Sequence, residues 1–415
     1  MVWAKTIKRI QDVVDWGLCI GCGACYYLCH KGAVTLVNVD DVGIRAKFES
    51  DICGSCTECL TICPGHHLEA PPRLSGSHRA DPEVLIGPTL EVWEGYATDS
   101  ELRYAGASGG VISALSLYCL EKESMDFVLH TAMDERKPWL NTTVQSKSKS
   151  ELLERSGSRY GPSSPCDSLR AVETSGRPCV FIGKPCDTGA VTMLRKERPH
   201  LDSKIGLALT FFCAGPPSAR TTLNLLGNLD VNPTDVSELR YRGKGWPGSF
   251  TVSYGRNQKK SLTYKESWGY LAMHSRSLRC NLCPDGLGEL ADISCGDAWH
   301  RYANNGNPGI SLVLVRTERG REILRRATEA GYVELQSSTP SQVITAQGLV
   351  QRRKEVFGRL SVMRLFAVPA PGFAGFPLCE AWAGNPPEVK ARTILGTMKR
   401  IIRRRLWHRN PVFLG

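Results

Sequence analysis

Cys19, Cys22, Cys25 and Cys29 are spaced C-x2-C-x2-C-x3-C, and Cys53, Cys56, Cys59 and Cys63 repeat the pattern, followed by Pro64. A cubane iron–sulfur cluster needs four thiolates converging on one small object. A tight loop supplies three, and the fourth has to come from elsewhere. In two-cluster domains the last cysteine of each run crosses to the other cluster. The spacing therefore assigns one [4Fe–4S] cluster to Cys19, Cys22, Cys25 and Cys63, and another to Cys53, Cys56, Cys59 and Cys29. Gly21, Gly23 and Gly54 let the loops turn N–H groups toward cluster sulfur, in geometries that glycine reaches cheaply. A zinc knuckle or a disulfide framework is the competing reading, but zinc sites pair C-x2-C units over a longer gap. His30 stands where the first run would usually carry Pro, a position that shapes the loop and supplies no ligand.

A second set of cysteines is scattered. Cys186 lies in GKPCD, just after the apolar run PCVFIG, and Cys213 ends IGLALTFFC. Cys280 and Cys283 form a C-x2-C. Both apolar runs read as strands whose carboxyl ends share the sheet edge where α/β proteins place ligands. A C-x2-C loop reaching that edge would complete a third cubane site. Taken alone, these residues fit buried free cysteines equally well, the reading given to Cys119, Cys166, Cys179 and Cys379. Cys295, in ISCGDAW, competes as a ligand.

The elements that would position these residues follow from the patterning. Residues 1–70 read as a two-[4Fe–4S] ferredoxin-like module whose cysteine runs are separated by two short strands around Asp40, Asp41 and Gly43. Residues 71–90, rich in Pro, Ser and Gly, read as a linker. From 91 to about 360, strands alternate with helices, as in a mixed α/β domain with a partly parallel sheet. EVWEGYATD, DFVLHTAM, PCVFIG and IGLALTFFC are the strands; SGGVISALSLYCLEK and the stretch after Pro185 are helices. Residues 236–265 read as a small antiparallel insert. The fold class expected is α+β, a ferredoxin-like module joined to an α/β domain.

Composition narrows the function classes. The 415 residues are 42% apolar, with no run of about 20 uncharged apolar residues, so no membrane span is expected. The N-terminus reads as no signal peptide. Seventeen cysteines with cluster spacing point to a reducing, cytoplasmic setting. The net charge is +11, and residues 361–415 form a basic extension with Lys399, Arg400, Arg403, Arg404, Arg405 and Arg409. Ile394, Met398, Ile401, Ile402 and Leu406 recur between these charges at near-helical spacing. Such a helix either packs its apolar face on the body or makes peripheral contact with an anionic membrane or acidic partner. No nucleic-acid reader motif accompanies the charge.

The chain resembles the coenzyme F420 hydrogenase/dehydrogenase beta-subunit family of iron–sulfur flavoproteins. The resemblance rests on ASGGVISAL at 107–115, SGSRYGPSS at 156–164, FIGKPCDTGAV at 181–191, FFCAG at 211–215 and RCNLCPDGLGELADISCGDAW at 279–299. It implies a non-covalent FAD in the α/β domain and a neighbouring [4Fe–4S] cluster on Cys186, Cys213, Cys280 and Cys283. It also implies that Ser108, Gly109 and Gly110, and Arg159, Tyr160 and Ser163, lie against the flavin. A glycine-rich turn opening a helix does suit a pyrophosphate. Lys184 would add a positive charge near the ring, and Asp297 a supporting carboxylate. The GxGxxG fingerprint is missing, so direct NAD(P) binding is not expected.

The expected function is an oxidoreductase coupling hydride chemistry at FAD, with coenzyme F420 as the partner, to one-electron transfer through the clusters. The alternatives are a ferredoxin-dependent reductase of another small organic substrate and an electron-transfer subunit without a substrate of its own. A ferredoxin or partner subunit would take or give single electrons. No acid–base residue is assigned; His274 and His300 flank the C-x2-C and could line the substrate side.

Overall fold

The computed structural model describes residues 7–54, 56–72, 82–274, 276–302, 308–410 and 412, apart from the side chains of Ser50 and His274. Residues 73–81 of the expected linker and the His274 side chain thus lie outside the described residues.

Short apolar runs bounded by Gly, Pro and polar residues form the strands. In the N-terminal module, β1 (Val34–Val39) and β2 (Gly43–Phe48) pair as the antiparallel hairpin expected between the cysteine runs. A third short strand, β3 (His67–Glu69), follows the second run. The α/β part contributes β4 (Glu91–Ala97), β5 (Val128–Met133), β6 (Asn141–Ser146), β7 (Cys179–Gly183) and β8 (Ile205–Phe211). The insert supplies β9 (Val236–Arg240), β10 (Ser249–Tyr254) and β11 (Gln258–Thr263), which form a separate antiparallel sheet. β12 (Ile293–Asp297), β13 (Ser311–Val315) and β14 (Val333–Ser337) return to the main sheet, and β15 (Gly372–Ala374) pairs with β3.

The main sheet has eight strands in the order β14–β4–β13–β12–β8–β7–β5–β6. Its centre is parallel, through the β12–β8, β8–β7 and β7–β5 pairs, and the remaining pairs are antiparallel. The central strands are buried almost throughout, as a sheet covered on both faces requires. Helices Val111–Glu121 and Glu318–Glu329 cover one face, through Leu115, Cys119, Ile323 and Leu324. The other face is covered by helix Pro185–Glu197 and by the N-terminal module.

The module does not stand apart. Val13, Leu18, Tyr27, Leu28 and Ile62 share one core with Phe181, Val191 and Leu194 of the α/β part and with Val356, Leu360 and Ile401 near the C-terminus. Helix Pro387–Arg403 packs on helix Leu349–Leu365 with Thr393, Thr397 and Ile401 buried. The stripe facing the body is therefore partly threonine, and Ile394, Leu395 and Ile402 face solvent instead. Beyond this helix the chain reaches the module, where Arg409 pairs with Asp12 at 2.6 Å. Among the described residues no helix is long and apolar enough to cross a membrane.

The three parallel pairs align the carboxyl ends of β5, β7, β8 and β12 on one edge. Lys184 and Cys186 follow β7, Phe212 and Cys213 follow β8, and Asp297 ends β12. That edge is where the topology places the chemistry.

Candidate functional site

Twelve of the seventeen cysteines gather into three groups. Cys19, Cys22, Cys25 and Cys63 line a small apolar cavity with Val13, Ile20 and Ile62. Burial raises the Cys25 thiol well above its ordinary value, and the charges of Cys22, Cys19, Cys59 and Cys63 add to it. Cys59 touches the same wall, yet its own neighbours are different. Burial first, then Cys29, Cys56 and Cys53, push it to about 12. The last cysteine of each run thus faces the other run, the crossing that the spacing calls for. Gly21, Gly23 and Gly54 all hold positive φ. At Gly23 a Cβ would stand 2.7 Å from the backbone nitrogen of Asp167, so the loop presses on the α/β part where only glycine fits.

Cys186, Cys213, Cys280 and Cys283 form the third group. Burial pushes Cys213 to about 12, with Cys280 and Cys283 contributing, and Cys186 is raised by burial with Cys213 and Cys283 among its neighbours. Cys186 opens helix Pro185–Glu197, and Ser277 caps the turn of Cys280 by accepting its N–H at 3.2 Å. A Cβ on Gly215 would lie 3.3 Å from the sulfur of Cys280, so the loop after Cys213 meets the C-x2-C directly. Cys295 shares the core with Val313, where burial alone raises it, and it also lines the cavity at the carboxyl edge of the sheet. Cys119 and Cys179 are buried free thiols, whereas Cys379 is exposed on its short helix, contrary to expectation. Cys166 is buried against Cys22, and its thiol hydrogen bond is the main influence lowering the latter.

Crowded, dry thiols hold their protons tightly; an iron core that takes them as thiolates offsets both burial and mutual repulsion. Among the described residues no three His, Cys, Asp or Glu side chains are spaced for a single metal ion. A cubane, bound at its four corners, spreads its sulfur ligands more widely than one ion does.

Beside the third group a cavity of about 500 Å³ opens at the carboxyl edge of the sheet. Its volume lies within the range of cofactor sites. Ser108, Gly110, Arg159, Tyr160, Ser163 and Lys184 line it, as does Cys213. Gly109 does not line it. A Cβ there would lie 2.5 Å from the Gly95 carbonyl oxygen, and its N–H donates to Ser311 Oγ, so this glycine seats the turn on the sheet. Arg159 is on the wall, but its guanidinium is spent on the Asn141 side chain and the carbonyls of Pro138, Leu140 and Leu239, tying the insert to β6. Lys184 is buried, which by itself favours the neutral amine. Asp187 at 2.7 Å, with Cys186 nearby, holds it protonated. Its Nζ also donates to Ser163 Oγ at 2.7 Å.

Several lining residues were not singled out by spacing or motif. Arg242 of the insert meets Asp297 through two bonds, Nη2 to Oδ1 at 2.6 Å and Nη1 to Oδ2 at 2.9 Å. Its guanidinium covers Tyr264 at 4.8 Å and Trp299 at 5.4 Å. Trp246 donates to Asp297 Oδ1 at 2.7 Å, so one carboxylate fixes the aromatic wall. His300 leaves the cavity to Trp299 and instead meets buried Glu94 at 2.9 Å, beside Arg301 at 2.8 Å. Arg155 and Arg352 add positive charge to the lining, where among the described residues Asp297 is the one acidic side chain.

His130 lines the cavity and shares a 2.8 Å bond with Ser146 Oγ. Burial, with Arg155 second, pushes it from 6.5 down to about 4. Between those values the unfolded chain binds more protons than the folded one, so acidification favours unfolding. From about pH 7 to pH 5.5 the loss is about 1 kcal/mol. Urea unfolding at both pH values is expected to show that increment in the parent and not in His130→Gln.

Comparisons with known proteins follow the same division. The family described as coenzyme F420 hydrogenase/dehydrogenase, beta subunit, matches in two parts, its N-terminal part over residues 92–170 and its C-terminal part over residues 176–341. The "4Fe-4S dicluster domain" family matches residues 18–66. The chain is 30% identical over 258 residues to the coenzyme F420 hydrogenase subunit beta of Methanococcus voltae, covering 57% of this chain and 81% of that one. The subunit of the same name in Methanothermobacter thermautotrophicus is 24% identical over 302 residues, 69% of this chain and all of that one. A chain of the F420-reducing [NiFe] hydrogenase complex from Methanosarcina barkeri gives a TM-score of 0.49 at 19% identity, over 78% of this chain and 97% of that one.

Proposed function

The chain belongs to the coenzyme F420 hydrogenase/dehydrogenase beta-subunit family, and from that premise we propose that it couples two-electron exchange with F420 at an FAD to one-electron transfer through three [4Fe–4S] clusters. The cluster ligands are Cys19, Cys22, Cys25 and Cys63; Cys53, Cys56, Cys59 and Cys29; and Cys186, Cys213, Cys280 and Cys283. One observation carries the reading: Cys213 belongs to the third thiol group and also lines the large cavity, so cofactor and cluster share a wall.

When bound, FAD supplies the exchange between paired electrons, carried by an organic hydride donor, and single electrons, carried by iron–sulfur clusters. The protein's part is to bind and orient. Gly110 caps the helix Val111–Glu121, whose N-terminal N–H groups and dipole suit a pyrophosphate, with Ser108 beside it. Arg155 and Arg352 add cations for the same anionic group. Lys184, kept charged by Asp187, favours an electron-rich ring nearby. Arg242 and Asp297 fix Tyr264 and Trp299 as a flat wall, and Arg159 shapes the cavity through its carbonyl contacts. A ferredoxin or partner subunit would meet the module near the second cluster, where Tyr26 is 47% and Ile52 44% exposed. Relatives named as subunits of F420 hydrogenases make a partner subunit the natural expectation.

Reduced F420, added anaerobically, is expected to bleach the flavin absorbance, after which reduced-cluster EPR signals appear. Flavin that ferredoxin reduces but reduced F420 leaves unbleached would transfer the reading to another organic substrate. Protein that holds clusters and no flavin would refute the cavity assignment.

A further inference from the structure

Arg279 lies between two cysteine groups. It precedes Cys280 in the short helix Leu278–Asn281, and its side chain is 1% exposed. The guanidinium donates from Nε at 3.0 Å and Nη2 at 2.7 Å to the carbonyl of Pro64, the residue after Cys63. It also covers the Phe373 ring at 4.8 Å. Buried Arg242 and Arg353 meet the carboxylates of Asp297 and Glu289, whereas Arg279, like buried Arg316, bonds to backbone carbonyl oxygen.

An unpaired guanidinium is costly to bury unless negative charge stands nearby. Arg279 directly precedes Cys280 and bonds the carbonyl of Pro64, the residue after Cys63, so its charge stands beside one cysteine from each group.

We propose that Arg279 is a positioning residue for electron transfer: its fixed charge favours the reduced form of the two clusters it lies between, and its paired hydrogen bonds hold their loops together. The inference rests on the three-cluster reading above. Reducing a cubane adds one negative charge, and a cation in a low-dielectric interior lowers that cost more than it would in water. Cluster potentials respond to local charge and hydrogen bonding. Each transfer oxidises one cluster and reduces the other by one electron, with no further reactant. Lysine would keep the charge and lose the planar fork.

EPR-monitored redox titration of the full chain, with iron content measured alongside, tests this in the parent, Arg279→Lys and Arg279→Gln. The glutamine variant is expected to disfavour cluster reduction about tenfold, a shift of about 59 mV for a one-electron couple. The lysine variant should stay close to the parent. Should glutamine cause loss of iron, lysine is expected to retain it. Equal behaviour of the two variants in potential and iron content, whether both like the parent or both impaired, would overturn the role of the charge. Parent protein with about eight irons in place of about twelve would instead refute the three-cluster reading itself.

Discussion

Changing Cys280 to alanine is expected to remove about four of about twelve irons and leave the N-terminal clusters in place. Cys280 lies in the third thiol group without lining the large cavity, so the flavin should be retained and still bleach with reduced F420. What should fail is the next step, with the EPR signals of the N-terminal clusters no longer appearing. The physical reason is the layout of the sheet edge. β7 and β8 deliver Cys186 and Cys213 side by side, the loop Cys280–Cys283 closes over them, and Cys213 faces the cavity. Cys295 also lines the cavity, but it is packed in the core opposite Val313, where burial alone raises its thiol. Full iron content in Cys280→Ala, measured beside its EPR spectrum, would dissolve this group as a cluster site.

Changing Asp297 to asparagine is expected to cost about 3–5 kcal/mol, the usual penalty for leaving one member of a buried ion pair without its partner. Arg242 is almost fully buried, and its charge is answered by Asp297 through two bonds. The same carboxylate receives the Trp246 N–H, so its loss also frees the wall formed by Tyr264 and Trp299. Urea unfolding and flavin retention should both suffer. The double variant Arg242→Met with Asp297→Leu is expected to regain much of the stability, since apolar replacement of a buried pair is often neutral or better, while flavin binding stays weak. A stable double variant with normal flavin content would show that the pair serves folding alone.

The parts of this site that are local in sequence were legible in it. Cluster loops repeat a short spacing because three ligands must come from one turn, and the hairpin between them is bounded by Asp40, Asp41 and Gly43. Strand ends near Cys186 and Cys213 could be read from apolar runs, and the sheet carries them to one edge. The cavity wall could not be read the same way. Arg242 and Tyr264 come from an insert whose pattern shows only an antiparallel sheet, Trp268 from the helix that runs on past it, and Gln347 and Arg352 from beyond the motif-bearing stretches. Their meeting depends on tertiary packing, as does the role of Gly109, which is a glycine because the Gly95 carbonyl is too close for a side chain. Arg159 shows the opposite limit: its position on the wall was legible, but the carbonyls that occupy its guanidinium lie far away in sequence. Hydrophobic periodicity likewise pointed to the helix near the C-terminus without showing that it shares a core with the N-terminal module.

One chain is expected to house a flavin beside a third cluster and to wire both to the N-terminal pair. Iron and flavin content of anaerobically purified protein tests it most directly. About twelve irons and about one FAD per chain are expected, three cubanes of four irons each. About eight irons, or about twelve irons without flavin, would contradict it.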